Sequence, residues 1–152
     1  MPSEPSETRS GVGETPLVVD ALVQLSFAVQ LVLTRVASVH DLSVTQLRLL
    51  GILRDRTPSM AAIADVLELD RSSVSGLIDR AERRGLVVRR GSPTDARVTL
   101  VELTAAAHTL AAELVEEVSL GLDALLRPSS EADRAALVRL AATLFAAVGP
   151  GA

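Results

Sequence analysis

Between Ser43 and Leu103 the hydrophobic period changes only once, and each helical segment before that change opens on a capping residue. Ser43-Val44-Thr45-Gln46 is a capping box, and the helix it starts runs to about Arg56 with Val44, Leu47, Leu50 and Leu53 on one face. Thr57-Pro58-Ser59 breaks it. Ser59 caps a second short helix over Met60–Leu67, in which Ile63, Ala64 and Leu67 share a face. Asp70 caps a third helix ending near Gly85, which turns Val74, Leu77, Ile78 and Ala81 inward at spacings of three and four. After Gly85 the pattern becomes that of strands. Leu86–Arg90 and Val98–Leu103 are short β-branched runs separated by the turn chemistry of GSPTDAR, which makes a hairpin with an exposed tip. Three short helices and a hairpin in about 60 residues leave few architectures open, and a winged helix-turn-helix accommodates them all.

The flanks are helical. Residues 1–15 are rich in Pro, Ser, Glu and Gly and read as a disordered tail. Thr15 then Pro16 is an N-cap with proline at the first helical position, opening a helix to about Val39 within a segment 16–41. Apolar side chains occupy most of its circumference, so it needs cover from the core or from a partner chain. Beyond the winged segment 42–103, Thr104 caps a helix to about Leu126 carrying a stripe through Ala107, Leu110, Leu114, Val118, Leu122 and Leu125. Arg127-Pro128 ends it. Ser130 with Asp133 opens a last helix through Leu137, Leu140, Leu144 and Val148, stopped by Gly149-Pro150-Gly151, so that 104–149 forms a helical pair. The expectation is a mainly α fold with a small β-hairpin wing, and terminal helices whose apolar density makes a homodimer.

Charge divides unevenly along the chain. The formal net charge is −4, but residues 42–97 hold ten arginines against seven acids, while the segments on either side are acidic. Seven of those arginines lie between Arg71 and Arg97. A basic patch within an acidic protein is a footprint that can be turned toward phosphate. It coincides with the third short helix, whose outer face carries Ser72, Ser73, Ser75, Gly76, Asp79, Arg80 and Arg83. Small residues at the start of that helix suit entry into a major groove about 12 Å wide, where hydroxyls and helix N-terminal amides reach phosphates and base edges. A glycine in mid-helix costs about 0.8–1 kcal/mol against alanine, and its place among polar residues suggests close approach to DNA.

With these residues in view, the chain resembles the MarR-type (multiple antibiotic resistance regulator) winged helix-turn-helix regulators. The resemblance rests on LSVTQLRLLGIL from Leu42, on LDRSSVSGLIDRAERRGLVVR from Leu69, and on DARVTLVELT from Asp95 to Thr104. It implies a ligand-responsive repressor, homodimeric through its terminal helices, that binds a pseudo-palindromic operator in double-stranded DNA. The helix after Asp70 would enter the major groove and Arg97 the minor groove, with Asp95 orienting the wing by pairing with arginine. The DNA-contacting set is then Ser59, Arg71, Ser72, Ser73, Ser75, Gly76, Arg80, Arg83, Asp95 and Arg97. The resemblance also implies a pocket between the dimer helices and the DNA-binding lobe that takes anionic or phenolic lipophiles, for which Phe27, Gln30, His40, Arg48 and Arg54 are the candidates. Three positions depart from the family pattern. Ala96 stands where a second wing arginine is frequent, Ala81 where leucine is common, and Ala107 where glycine usually follows Leu-Thr.

Other classes find less support. His40 beside Asp41 and His108 near Glu113 are the titratable pairs an enzyme would need, but no H-E-x-x-H, G-x-S-x-G or phosphate loop accompanies them. Without cysteine there is no disulfide, thiolate metal site or thiol switch; without lysine there is no Walker P-loop or Schiff base. Phe27 and Phe145 are the only aromatics, too few for a single-strand binder that stacks bases. A winged helix used for protein assembly is the alternative, and Arg80, Arg83, Arg84, Arg89 and Arg90 argue against it. No cofactor or metal is expected. The acidic, Ser/Pro-rich start is unlike a secretory signal. The uncharged run Ala21–Thr34 is shorter than the roughly 20 residues of a membrane span. The expectation is a cytoplasmic protein, and the alanine-rich, lysine-free composition points to a GC-rich bacterial source.

Overall fold

The structure, a computed structural model, describes residues 14–148; of the expected tail over 1–15, residues 1–13 lie outside the described residues, as does the Gly149–Gly151 stop, and residues 14–15 are helical. Six helices and one hairpin follow in order: α1 Glu14–Val39, α2 Val44–Leu53, α3 Met60–Leu67, α4 Arg71–Arg83, β1 Val87–Gly91, β2 Thr99–Leu103, α5 Ala105–Leu126 and α6 Glu131–Val148. The strands pair antiparallel with Val87 opposite Leu103 and Gly91 opposite Thr99.

Caps fall where short polar side chains precede apolar runs. At α2 the Ser43 and Gln46 side chains satisfy each other's backbone N–H, at 3.1 and 3.0 Å. Ser59, Asp70 and Thr104 likewise accept from the third residue of the helix each begins. Ser130 and Asp133 close a reciprocal pair at the start of α6. At α1 the outcome differs. Helix is already present at Glu14, so Thr15 lies inside it and does not cap it, and Pro16 sits in the first turn, where its missing N–H leaves no bond unmade.

One core serves the winged helix. Leu49, Leu50, Leu53, Ile63, Val74, Ile78, Val87 and Val101 are fully buried, joined by Ala107, Ala111 and Leu114 from α5 and by Val36 and Ala37 from the last turns of α1. The Thr57–Ser59 break also supplies backbone pairing: Val101 N–H donates to the Pro58 carbonyl and Ser59 bridges Leu100, extending the wing by a third short segment. The wing is thereby fixed to the start of α3. At Gly121 of α5 the helices α1 and α5 come close, since a Cβ there would lie 2.6 Å from a Val32 methyl.

The rest of α1 is uncovered. Its C-terminal turns are in the core, but Leu17 is 70% exposed, Phe27 68%, and Val18, Val19, Leu22, Val23 and Leu31 are exposed with them. Leu120 of α5 and Val138, Leu140, Leu144 and Phe145 of α6 are exposed as well. The expectation that no segment is long enough for a membrane span counts the uncharged run alone, and the helix corrects it. Asp20 and Arg35 lie within one continuous helix, and Thr15–Val39 is long and apolar enough to cross a membrane. Length and hydropathy do not separate a dimerisation helix from a span, because lipid and a partner's apolar face ask for the same side chains.

Candidate nucleic-acid interface

Helix α4 presents an outer face that the core does not use. Arg71, Ser72, Ser73, Ser75, Arg80 and Arg83 are exposed and Gly76 is half-buried, while Val74, Leu77, Ile78 and Ala81 point inward. The Asp70 carboxylate organises the start of this face. It accepts from the Ser73 amide at 2.9 Å, the Ser73 hydroxyl at 2.6 Å and the Ser72 hydroxyl at 2.5 Å. These bonds, the Ser72 hydroxyl first, hold its pKa well below the usual carboxylate value of 3.8. The chemistry of the serines differs from that expected from residue type. With both hydroxyl protons committed to Asp70, Ser72 and Ser73 present acceptor lone pairs outward and suit the amino groups of bases better than phosphates. Ser75 makes no side-chain hydrogen bond among the described residues, so its hydroxyl can donate.

The depressed acidity carries a pH consequence. A carboxylate whose folded pKa lies below its unfolded value stabilises the fold above that unfolded value and loses the contribution as pH falls beneath it. Asp70→Asn is expected to lower the thermal midpoint at pH 7, with the difference from wild type shrinking as pH falls below 3.8. Melting curves across a pH series from neutral to below the usual carboxylate value check this; a gap that stayed constant would show that charge plays no part in the cap.

Gly76 is not a packing glycine. The only atom near a Cβ built there is the Arg80 guanidinium, at 3.3 Å, the far end of a flexible side chain. Arg80 therefore folds back along the helix over Gly76. On one side of this face lies an open recess of about 460 Å³ lined by Ser43, Thr45, Ser72, Ser73, Gly76 and Arg80. On the other, Ser59 and Arg71 line a recess of about 380 Å³ with Arg97 and Thr99, where α3, α4 and the wing meet.

The wing tip is held by Asp95. Its carboxylate accepts from the Arg97 backbone N–H at 3.0 Å and from Arg97 Nε at 3.2 Å, which lowers its pKa. The Arg97 side chain is nonetheless 91% exposed, with its terminal nitrogens turned to solvent. The pairing orients the arginine and does not consume it.

Not every arginine of the basic patch faces outward in the same way. Arg89 is held by Asp79 at 2.5 Å and by Glu82, and Arg90 by Glu102 across the hairpin. Arg84 donates to the backbone carbonyls of Asp41 and His40. These three, counted from sequence as part of a basic face, are occupied within the chain, because acids and carbonyls distant in sequence lie opposite them in the fold. The cations left outward are Arg71, Arg80, Arg83 and Arg97.

The five effector-pocket candidates do not converge. Phe27, Gln30 and Arg48 are exposed, and His40 Nε2 bonds Glu117 at 2.9 Å. Arg54 pairs with Asp55 at the edge of a polar recess with Glu102 and His108. Helical phase does not tell which neighbouring element closes over a face. A site the sequence did not reveal lies between α2 and α5, an apolar cavity of about 170 Å³ lined by Leu47, Leu50, Gly51, Ala111, Leu114 and Val118 among others. Among the described residues no three carboxylates or histidines gather as metal ligands.

A helix pair that sets a third, polar-faced helix outward beside an arginine-tipped hairpin defines a winged helix-turn-helix protein. The sequence model of the MarR family matches residues 40–98. The chain is 27% identical over 93 residues, 60% of its length, to the HTH-type transcriptional regulator MhqR of Bacillus subtilis, of which the match covers 64%. The chain spans about half to two thirds of the length of the curated relatives it matches. Solved structures extend the likeness to nearly the whole chain. The transcriptional repressor CouR bound to a 23-mer DNA duplex superposes with a TM-score of 0.74 at 26% identity, covering 91% of this chain and 99% of that one. NadR in complex with 4-hydroxyphenylacetate gives 0.69 at 26% identity, over 95% and 97%. Residues 40–98 thus match the MarR family, and over nearly its whole length the chain is similar to solved transcriptional regulators.

Proposed function

We propose that this protein is a cytoplasmic, ligand-responsive transcriptional repressor that binds a pseudo-palindromic operator in double-stranded DNA as a homodimer, one half-site per protomer. The observation that carries this reading is the outward face of α4, where Ser75, Gly76, Arg80 and Arg83 stand uncommitted to the core beside the exposed Arg97 of the wing. Small residues at the start of α4 suit approach to a major groove, and the exposed Arg97 of the wing would enter the flanking minor groove. Ser59 and Arg71 line the recess beside Arg97 between α4 and the wing, which suits them to phosphate contacts in this reading. The unpartnered apolar surface of α1, α5 and α6 supports the dimer. The apolar cavity between α2 and α5 supports a lipophilic effector, and the phenolic acid held by NadR makes aromatic carboxylates the class to test.

Binding to duplexes selected from a random-sequence pool tests the reading. The wild-type protein should enrich a two-fold related pair of half-sites with centres about one helical turn apart. Arg97→Ala is expected to weaken binding to the enriched duplex by roughly tenfold or more. The slope of log affinity against log salt should also flatten, by roughly 0.9 for each phosphate that the variant leaves without its cation. An Arg97→Ala protein with unchanged affinity and slope would remove the wing from the interface.

A further inference from the structure

Helix α1 ends in a left-handed turn. Asp41 has φ 54°, and the Leu42 amide turns back to the Ala37 carbonyl at 2.8 Å. The carbonyls of His40 and Asp41 are left facing away from the helix they follow, at the negative end of its dipole. Arg84 meets both: Nη1 donates to the Asp41 oxygen at 2.6 Å and Nη2 to the His40 oxygen at 3.2 Å. A guanidinium reaches two consecutive carbonyls because its donors form a rigid planar fork, which an ammonium lacks. Arg84 is also the C-cap of α4, its own amide donating to the Arg80 carbonyl at 3.2 Å. The same corner is tied to α5, since the His40 ring bonds Glu117 at 2.9 Å.

We infer that Arg84 is a positioning residue that sets the orientation of the reading helix α4 relative to the long helices α1 and α5, and thereby the spacing of the two half-sites a dimer can engage at once. The inference rests on the proposed reading of this protein as a dimeric operator-binding regulator. Arg84 touches the corner joining α1 and α2 and has no role in the face that meets DNA. Each protomer's α4 is connected to the dimer scaffold through this link as well as through the core. Simultaneous engagement of two half-sites gains affinity only when the geometry of the two heads matches the DNA, so a looser link weakens the second engagement and not the first.

The test compares three duplexes derived from the site that the wild-type protein enriches: the full site, a single half-site, and the full site with one base pair inserted between its halves. Arg84→Ala is expected to bind the full site about tenfold more weakly. It should bind the half-site as wild type does, keep the salt slope, and discriminate less against the inserted base pair. Arg84→Lys, which keeps the charge but lacks the planar fork that spans the two carbonyls, should show the same division in smaller measure. If Arg84→Ala lowered the salt slope by roughly 0.9 per arginine, Arg84 would be a phosphate ligand and the inference wrong. Equal weakening on half-site and full site would mark a general loosening of α4, and it too would overturn the inference, as would no effect at all. Should the alanine variant fail to fold, Arg84→Lys decides by the same comparison. A wild-type protein that enriched no duplex would instead refute the proposed function.

Discussion

Gly76→Leu is expected to abolish the choice of operator over random DNA while leaving the protein as stable as wild type or more so. The structure separates these two effects. A Cβ at this position meets no core atom, only the guanidinium of Arg80, so backbone packing does not require glycine there. Leucine should gain roughly 0.6–0.8 kcal/mol of helix propensity. Its isobutyl group would then stand between α4 and the groove floor and push Arg80 off the face where it lies. Specific binding typically exceeds non-specific binding by ~10³ or more, and most of that ratio should disappear. Competition between the enriched duplex and random DNA, read beside a melting curve, checks both halves. A stable variant that still preferred its operator would take α4 out of the reading surface. One that melted earlier would give Gly76 a packing role.

Phe27→Asp with Leu31→Asp is expected to turn the proposed dimer into a folded monomer. In the single chain both side chains are exposed, so the charges should cost the protomer's own fold little. At an interface they would leave unpaired charges buried, a penalty of about 3 kcal/mol or more for the pair. Light scattering at micromolar concentration should fall from the mass of two chains to the 15.9 kDa of one. Affinity for the full site should drop toward that for a half-site, because the second engagement is no longer intramolecular. An unchanged mass would move the interface away from the middle of α1. A wild-type protein that was itself 15.9 kDa would refute the dimer, and α1 would then need another partner for its apolar face.

Much of the winged helix is legible in the sequence. The caps at Ser43, Ser59, Asp70 and Thr104 fall where expected because capping is local, a hydroxyl or carboxylate meeting an amide three residues on. The core residues of α4 are legible for a related reason, since a helical period places Val74, Leu77, Ile78 and Ala81 on one side whatever packs there. Both strands begin one residue later than their β-branched runs suggest. The start of α1 differs from expectation, because Thr-Pro satisfies the first turn of a helix as readily as the cap before it.

The fates of the arginines and serines follow another rule. Composition marks a basic segment between Arg71 and Arg97, but charge is a property of a residue and availability is a property of its neighbours. Arg89 is neutralised by Asp79 and Glu82, and Arg84 is spent on the carbonyls of His40 and Asp41, far earlier in the chain. Arg97, beside its own acid, keeps its outer nitrogens exposed. The same holds for the two serine hydroxyls that Asp70 takes, and for the effector candidates scattered over α1 and α2. By itself the sequence determined the order of helices and hairpin, the caps of α2 to α5 and the inward face of α4, because these depend on groups within a few residues of each other; the start of α1, the end of α2 at Leu53 and the burial of Leu49 were not among them. Which cations face outward, which cavity forms between α2 and α5, and how α4 is joined to the end of α1 were decided only by the tertiary structure, since each depends on groups that folding alone brings within hydrogen-bonding or van der Waals distance.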